Sequence, residues 1–287
     1  MSIRVHLGGR VCLPDDARIS VFDRGFLYGD SVYETIGTAF GRLFALGDHL
    51  TRLERSAERI GLRVPPRAEI EAAVAETVRE AANAESRVRI ILTRGAGKLD
   101  LDPASVDDTQ LVVIVTPLQP LARELYEQGV SVAIVSIVRN SPRAMDPAIK
   151  SGNYLNNVLA LGQARRQGAH EAILCGEDGT VAEGASSNVF LVKDGEVRTP
   201  GLDVGLLDGI TRAKVLAECR ANGIPVRETR LTPDDLRGAD EAFITSATRW
   251  VLPVTRVDDA VLGDGRPGPV TRKLMTLMEQ LARKGVA

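Results

Sequence analysis

Val181-Ala182-Glu183-Gly184-Ala185-Ser186-Ser187-Asn188-Val189-Phe190 sets one carboxylate before a run of small residues and then enters an apolar strand. On its own Glu183 reads as an ordinary loop acid. Two other stretches bear on it. Upstream, Met145-Asp146-Pro147-Ala148-Ile149-Lys150-Ser151-Gly152-Asn153-Tyr154 places a lysine after two apolar residues and before small residues that lead into a helix. Downstream, Leu207-Asp208-Gly209-Ile210-Thr211-Arg212 opens a helix. Backbone N–H groups at a helix start, with a threonine hydroxyl, suit an anion. Plain capping by Asp208 or Thr211 is the simpler reading of that stretch.

Lysine is scarce in this chain and arginine abundant, so the lysines can be sorted by elimination. Lys193 sits in a hairpin turn, Lys98 in a Gly-rich loop, and Lys214, Lys273 and Lys284 in helical stretches with charged neighbours. Lys150 alone has an apolar approach and small residues after it. A nucleophilic lysine must be held out of bulk water so that its amine can be neutral. Composition by itself favours a snorkelling lysine near a helix start.

The 287 residues suffice for two ordinary domains or one large one. Hydrophobic residues make up 44% and charged residues 26%, which suits a globular chain with a sizeable core. A net charge of -2 argues against nucleic acid, whose phosphates need a basic excess. No apolar stretch reaches the roughly 20 residues that cross a bilayer, so no membrane partner is expected. Cys12, Cys175 and Cys219 are widely spaced and read as reduced thiols, which points to the cytoplasm. His6, His49 and His170 lie far apart without ligand spacing, so no metal site is expected. Gly95-Ala96-Gly97-Lys98 lacks the first glycine of a phosphate loop, where Leu92 stands, and Leu99 replaces its Ser or Thr.

Along the first half, Asp48 with Leu50, Leu53, Ala57, Ile60 and Gly61 reads as a capped amphipathic helix. Arg52 falls with Arg55 and Arg59 off that apolar stripe. Ile70 to Ala81 forms a second helix, and Val88 to Thr93 and Leu111 to Thr116 read as strands. Pro117-Leu118-Gln119-Pro120 breaks regular structure. A strand over Val130–Val138, a helix from Asn153 to Gln167, strands at Glu171–Cys175 and Val189–Val192, and a helix from Thr211 to Gly223 follow. Strands Glu241–Thr245 and Val251–Thr255 and a helix Pro269–Lys284 complete the chain. The pattern is α+β, with an N-terminal domain over 1–118, a connection over 119–128 and a second domain over 129–287.

In this order and spacing, the lysine, glutamate and Gly-Ile-Thr-Arg segments resemble the class IV aminotransferases, the fold-type IV pyridoxal-phosphate enzymes. The likeness runs from Asp23-Arg24-Gly25-Phe26-Leu27-Tyr28-Gly29-Asp30-Ser31-Val32-Tyr33-Glu34 to the C-terminal helix. It implies a smaller N-terminal α+β domain, a larger C-terminal β-barrel-like domain with helices, and pyridoxal 5'-phosphate as cofactor. By position, Lys150 would form the Schiff base and Glu183 would meet the pyridine nitrogen, whose protonation makes the ring an electron sink. Ile210, Thr211 and Arg52 would bind the phosphate, and Tyr154 the ring oxygen. Ser246 and Ala247 match the turn beside the phosphate and substrate carboxylate; the family usually has Thr where Ala247 stands. The resemblance also implies a homodimer, with each active site between the domains and bordered by a loop of the other subunit.

Within the family, D-amino-acid enzymes carry an Arg-x-His pair after the Thr93-Arg94-Gly95 position, and Ala96-Gly97-Lys98-Leu99 lacks it. Branched-chain enzymes carry Tyr-x-Arg where this chain has Arg87-Val88-Arg89, so Arg89 matches and the tyrosine does not. Tyr28 and Tyr33 fit the branched-chain aromatic pocket, whereas Thr35 and Gly37 replace a characteristic glycine and arginine. The expectation is a transaminase acting on a branched-chain L-amino acid and a 2-keto acid. D-amino-acid or (R)-amine transamination is the alternative, aminodeoxychorismate lyase the third reading, and a non-catalytic binding protein the fourth.

Overall fold

A computed structural model describes residues 2–106 and 108–285. The described chain forms two compact units: residues up to Gln119 with Ile149–Asn153 and Gly285, and Pro120–Ala148 with Tyr154–Lys284.

In the first unit, β1 (Arg4–Leu7), β2 (Arg10–Cys12), α1 (Arg24–Tyr28), β3 (Ser31–Ala39), β4 (Arg42–Leu43), α2 (Leu46–Arg59), α3 (Arg67–Ala81), β5 (Ser86–Thr93) and β6 (Gln110–Pro117) follow one another. The strands form one antiparallel sheet in the order β2-β1-β6-β5-β3-β4. β5 alternates, with Val88, Ile90 and Leu92 buried and Arg87 and Arg89 exposed. Its apolar face packs on Leu50, Leu53 and Ala57 of α2 and on Ile70, Ala73 and Val74 of α3. β3 has no such alternation, because every residue in it but Thr35 is buried. α2 starts two residues before the expected Asp48 cap: Ala45 is its N-cap, at φ 55° and without a side-chain hydrogen bond. Asp48 lies in the first turn, where its charge still complements the helix dipole.

The short segment Ile149–Asn153 belongs to this unit because it lies along β3. Tyr33 N–H donates to the Lys150 carbonyl at 2.9 Å, Gly152 N–H donates to the Ser31 carbonyl at 2.9 Å, and Val32 bridges Ser151. The chain therefore leaves the first unit and returns to it, which a boundary at 119–128 alone does not describe.

The second unit runs α4 (Arg123–Gln128), β7 (Val130–Ile134), α5 (Leu155–Arg166), β8 (Glu171–Cys175), β9 (Val181–Gly184), β10 (Asn188–Lys193), β11 (Glu196–Thr199), α6 (Ile210–Ala221), β12 (Val226–Glu228), α7 (Pro233–Arg237), β13 (Glu241–Ser246), β14 (Trp250–Val257), β15 (Ala260–Val261) and α8 (Pro269–Lys284). Residues expected as a bare connection thus include α4, whose Leu125 and Tyr126 pack on the core of this unit. Strand β7 stops at Ile134, short of the expected Val138. The strands make one curled half-barrel sheet in the order β12-β11-β10-β13-β14-β7-β8-β9, with β15 on β14. The β7-α5-β8 step joins parallel neighbours, as a helical crossover does. Val189, Leu191, Ala242, Ile244, Leu252 and Val254 fill the core between neighbouring strands.

Candidate active site

In the first unit the Lys150 backbone is held from two sides. Its N–H donates to Ser56 Oγ on α2 at 3.3 Å, and its carbonyl accepts from Tyr33 on β3. The half-buried side chain runs back over Tyr33, placing Nζ 4.6 Å from the ring centroid. The Arg89 guanidinium carbon lies 3.8 Å from the centroid of that ring. Arg89 opposes Thr35 across the β3–β5 ladder, so it shares a sheet face with Tyr33. Tyr28 ends α1, with its ring centroid 5.2 Å from the Arg24 guanidinium carbon.

Arg52 does not lie on a solvated face. It is 4% exposed and belongs to a buried polar band, His49, Arg52 and Ser56, beside Leu50, Leu53 and Ala57. Two N–H groups of its guanidinium grip Glu34: Nε donates to Oε1 and Nη2 to Oε2, each at 2.7 Å. His49 Nδ1 shares a 2.7 Å hydrogen bond with Glu34 Oε2 and is the donor when the carboxylate is ionised. Burial pushes the Glu34 carboxyl up, but Arg52 and His49 outweigh it and bring the pKa down to about 2. Ser56 donates to the Arg52 carbonyl at 2.8 Å, so the residue that holds Lys150 also touches this band.

In the second unit Glu183 sits on β9 and is 6% exposed, a buried strand residue and not a loop acid. Arg139 Nε donates to its Oε1 at 2.8 Å, and the Leu207 N–H donates to its Oε2 at 3.1 Å. The Leu207 carbonyl in turn accepts from Asn188 Nδ2 at 2.9 Å. Leu207 thus ties Glu183 to the loop that enters α6.

Gly209, and neither Asp208 nor Thr211, is the N-cap of α6, and no side chain caps this helix. The start of α8 differs, since Glu241 accepts from the N–H groups of Val270 and Thr271. A Cβ on Gly209 would lie 1.9 Å from Asn188 Oδ1, so only glycine allows the loop this close to β10. Asn188 pairs with Thr245, whose buried Oγ1 has no hydrogen-bond partner among the described residues. The next residue, Ser246, accepts from Arg249 Nε at 2.9 Å. Ala247 lies in the turn between β13 and β14, and Tyr154 is the N-cap of α5, half-buried.

Three kinds of likeness to known proteins bear on this geometry. Residues 31–257 match the model of the family described as Amino-transferase class IV. The chain belongs to the class IV aminotransferases. Over 283 residues this aminotransferase is 38% identical to a putative branched-chain-amino-acid aminotransferase of Methanocaldococcus jannaschii, covering 98% of this chain and 97% of that one. It is 35% identical over 278 residues to a D-alanine aminotransferase of Bacillus licheniformis, with 96% of each chain covered. Among solved structures, the branched-chain aminotransferase of the thermophilic archaeon Thermoproteus uzoniensis, crystallised with norvaline, superposes with a TM-score of 0.90 at 32% identity, covering 99% of this chain and 94% of that one.

Class IV aminotransferases use pyridoxal 5'-phosphate. The residues of this chain fit that group. The uncapped start of α6 and the buried Thr245 hydroxyl are, among the described residues, donors without acceptors, as a phosphate requires, and Gly209 leaves beside them the space that a Cβ would fill. A buried carboxylate held by an arginine suits a protonated ring nitrogen.

The sequence offers no local sign of Glu34, Arg139, Asn188 or Arg249 as members of these clusters. One signal was available: His49, Arg52 and Ser56 recur at helical spacing beside an apolar stripe.

Proposed function

We propose that this aminotransferase moves an amino group between a branched-chain L-amino acid and a 2-keto acid, with pyridoxal 5'-phosphate bound covalently at Lys150. The observation that carries the reading is the stack of Lys150, Tyr33 and Arg89, which sets an amine and a guanidinium on one buried phenol ring. Lys150 Nζ would hold the cofactor and, once displaced by the substrate's amine, would be free to take the proton from the substrate α-carbon. Glu183, held by Arg139 and Leu207, keeps a proton on the ring nitrogen. When bound, the cofactor supplies an electron sink for the charge left on the α-carbon. Ile210 and Thr211 hold the phosphate through N–H and hydroxyl groups, with Arg52 as its cation, and Tyr154 donates to the ring oxygen. Glu34 keeps the Arg52 fork in one orientation. Ser246 and Ala247 line the phosphate and carboxylate side, and Tyr28, Tyr33 and Arg89 receive the substrate.

The likeness to the Methanocaldococcus jannaschii protein and the missing Arg-x-His pair support the branched-chain substrate. D-amino-acid transamination is the second reading, supported by the likeness to the D-alanine aminotransferase. Half-reactions followed by the cofactor's visible absorbance separate them. Rapid bleaching by L-leucine and not by D-alanine is expected; the reverse overturns the substrate assignment. Pyruvate release from aminodeoxychorismate would favour a lyase instead.

The chain acts as a homodimer in the cytoplasm. Phe26 at 67% and Leu101 at 77% exposure give the first unit apolar surface of the kind a second subunit covers. The free thiols of Cys12, Cys175 and Cys219 suit a reducing compartment. No helix among the described residues is long and apolar enough to cross a membrane. A stable, active monomer in size-exclusion chromatography would contradict the dimer.

A further inference from the structure

Arg249 is absent from the functional roles above, yet it joins two turns of the second unit. Its Nε donates to Ser246 Oγ at 2.9 Å. Nη1 and Nη2 both donate to Glu171 Oε2 at 3.2 Å, and Nη2 also reaches the Ser186 carbonyl at 3.1 Å and Ser186 Oγ at 2.8 Å. Glu171 is 1% exposed and accepts at the same Oε2 from the hydroxyls of Ser186 and Ser187. The Arg249 carbonyl accepts from Tyr126. Ser246 pairs with Trp250, which closes a three-residue hairpin turn with Trp250 at φ 55°. The guanidinium is thereby fixed at every edge.

Each of these bonds has a fixed direction. A guanidinium has donors only, so each of its contacts is a donation. Ser186 spends its one proton on Glu171 and accepts from Arg249. Ser246 accepts from Arg249 as well, but no described acceptor takes its proton. Its hydroxyl is left as a donor for a ligand, one residue beyond Thr245, whose hydroxyl is also unpartnered.

We propose that Arg249 is a positioning residue for the cofactor's phosphate: by donating into Ser246 Oγ, it obliges Ser246 to turn its own proton toward the anion. Arg249 does not touch the phosphate in this arrangement, and its charge is matched by Glu171. The proposal rests on the reading that the α6 start and the Ser246 turn hold that phosphate.

The test compares two probes on the apo-enzyme, pyridoxal 5'-phosphate and pyridoxal without its phosphate, titrated by the fluorescence of Trp250, the single tryptophan of the chain. S246A leaves the Arg249–Glu171 pair in place. It should weaken binding of the phosphorylated probe about tenfold, the scale of one hydrogen bond to a charged group, and leave pyridoxal unchanged. R249M should show the same selective loss, and R249M/S246A no more than either single change. R249K keeps the charge and loses the fork, so it should behave as R249M. Equal losses for the two probes, additive losses in the double variant, wild-type affinity in R249K, or no selective loss in S246A would each overturn the proposal. T211A serves as the separate check. A selective loss there with wild-type behaviour in R249M sinks the Arg249 role alone, whereas no selective loss in either sinks the phosphate reading and this proposal with it.

Discussion

Tyr33 holds Lys150 twice: its backbone N–H donates to the Lys150 carbonyl at 2.9 Å, and its ring lies 4.6 Å from the Lys150 amine. The first contact belongs to any residue at position 33, the second to an aromatic one. Tyr33→Phe should therefore keep the amine in place, while Tyr33→Leu should free it and lower kcat by at least about tenfold, since misplacing a reacting group is costly. Lys150→Ala should abolish both turnover and the visible absorbance band of the bound cofactor. Steady-state kinetics and an absorbance scan read these outcomes, and a Lys150→Ala enzyme that keeps both would remove the lysine from the chemistry.

Glu34 gives a pH dependence whose sign follows from its ion pairs. Its pKa is brought from 4.5 down to about 2, so the folded state binds the Glu34 proton less readily than the unfolded chain does. The stabilisation is fully present above about pH 4.5 and is lost as pH falls toward 2. On that shift it amounts to about 3 kcal/mol near neutrality. Glu34→Gln should lower stability to urea by about that amount at pH 7, and the gap to wild type should narrow steadily at pH 4 and pH 3. A gap that stays constant across this range would mean that the charge of Glu34 is not what holds Arg52 and His49.

Gly209→Ala tests the approach of the α6 loop to β10. Gly209 has φ -72°, which any residue adopts, so the substitution carries no backbone strain. The whole effect comes from a Cβ 1.9 Å from Asn188 Oδ1. Either Asn188 releases the Leu207 carbonyl or the loop moves, at about 1–3 kcal/mol. Faster loss of cofactor during dialysis, with only a modest fall in Tm, is the expected result. Gly209→Ala combined with Asn188→Ala should relieve the clash without restoring the hydrogen bond to Leu207.

Much of the fold is legible in the sequence where one face is apolar and the ends carry signals. Helix α8 runs Pro269–Lys284 and strand β8 Glu171–Cys175, as the pattern predicts. β3 is not legible, because burial on both faces removes the period of two. The candidate site divides the same way. Lys150, Glu183 and the α6 start lie in short motifs, but their supports come from distant sequence: Arg139 is 44 residues from Glu183 and Arg249 is 78 from Glu171. Arg52 misleads for a different reason. An apolar stripe counts only hydrophobic residues, whereas α2 also buries a polar band whose partner, Glu34, is on another element.

Arg139 and Glu183 should separate charge from packing at the ring nitrogen. Glu183→Gln keeps the side-chain shape and its Leu207 contact but removes the negative charge, so on the proposed reading the cofactor's ring nitrogen would lose the partner that keeps it protonated. Turnover should fall at least about a hundredfold, as when a preorganised charge partner is removed from a reacting group. Arg139→Met acts by another route: it strands a buried carboxylate that the arginine met at 2.8 Å, and stability should fall by about 3 kcal/mol. With both changes no charge is left unpaired, so the double variant should recover much of that stability while staying as slow as Glu183→Gln. Thermal unfolding and kcat measured on the three variants decide it, and a double variant as unstable as Arg139→Met would show that Arg139 stabilises the unit through contacts other than Glu183.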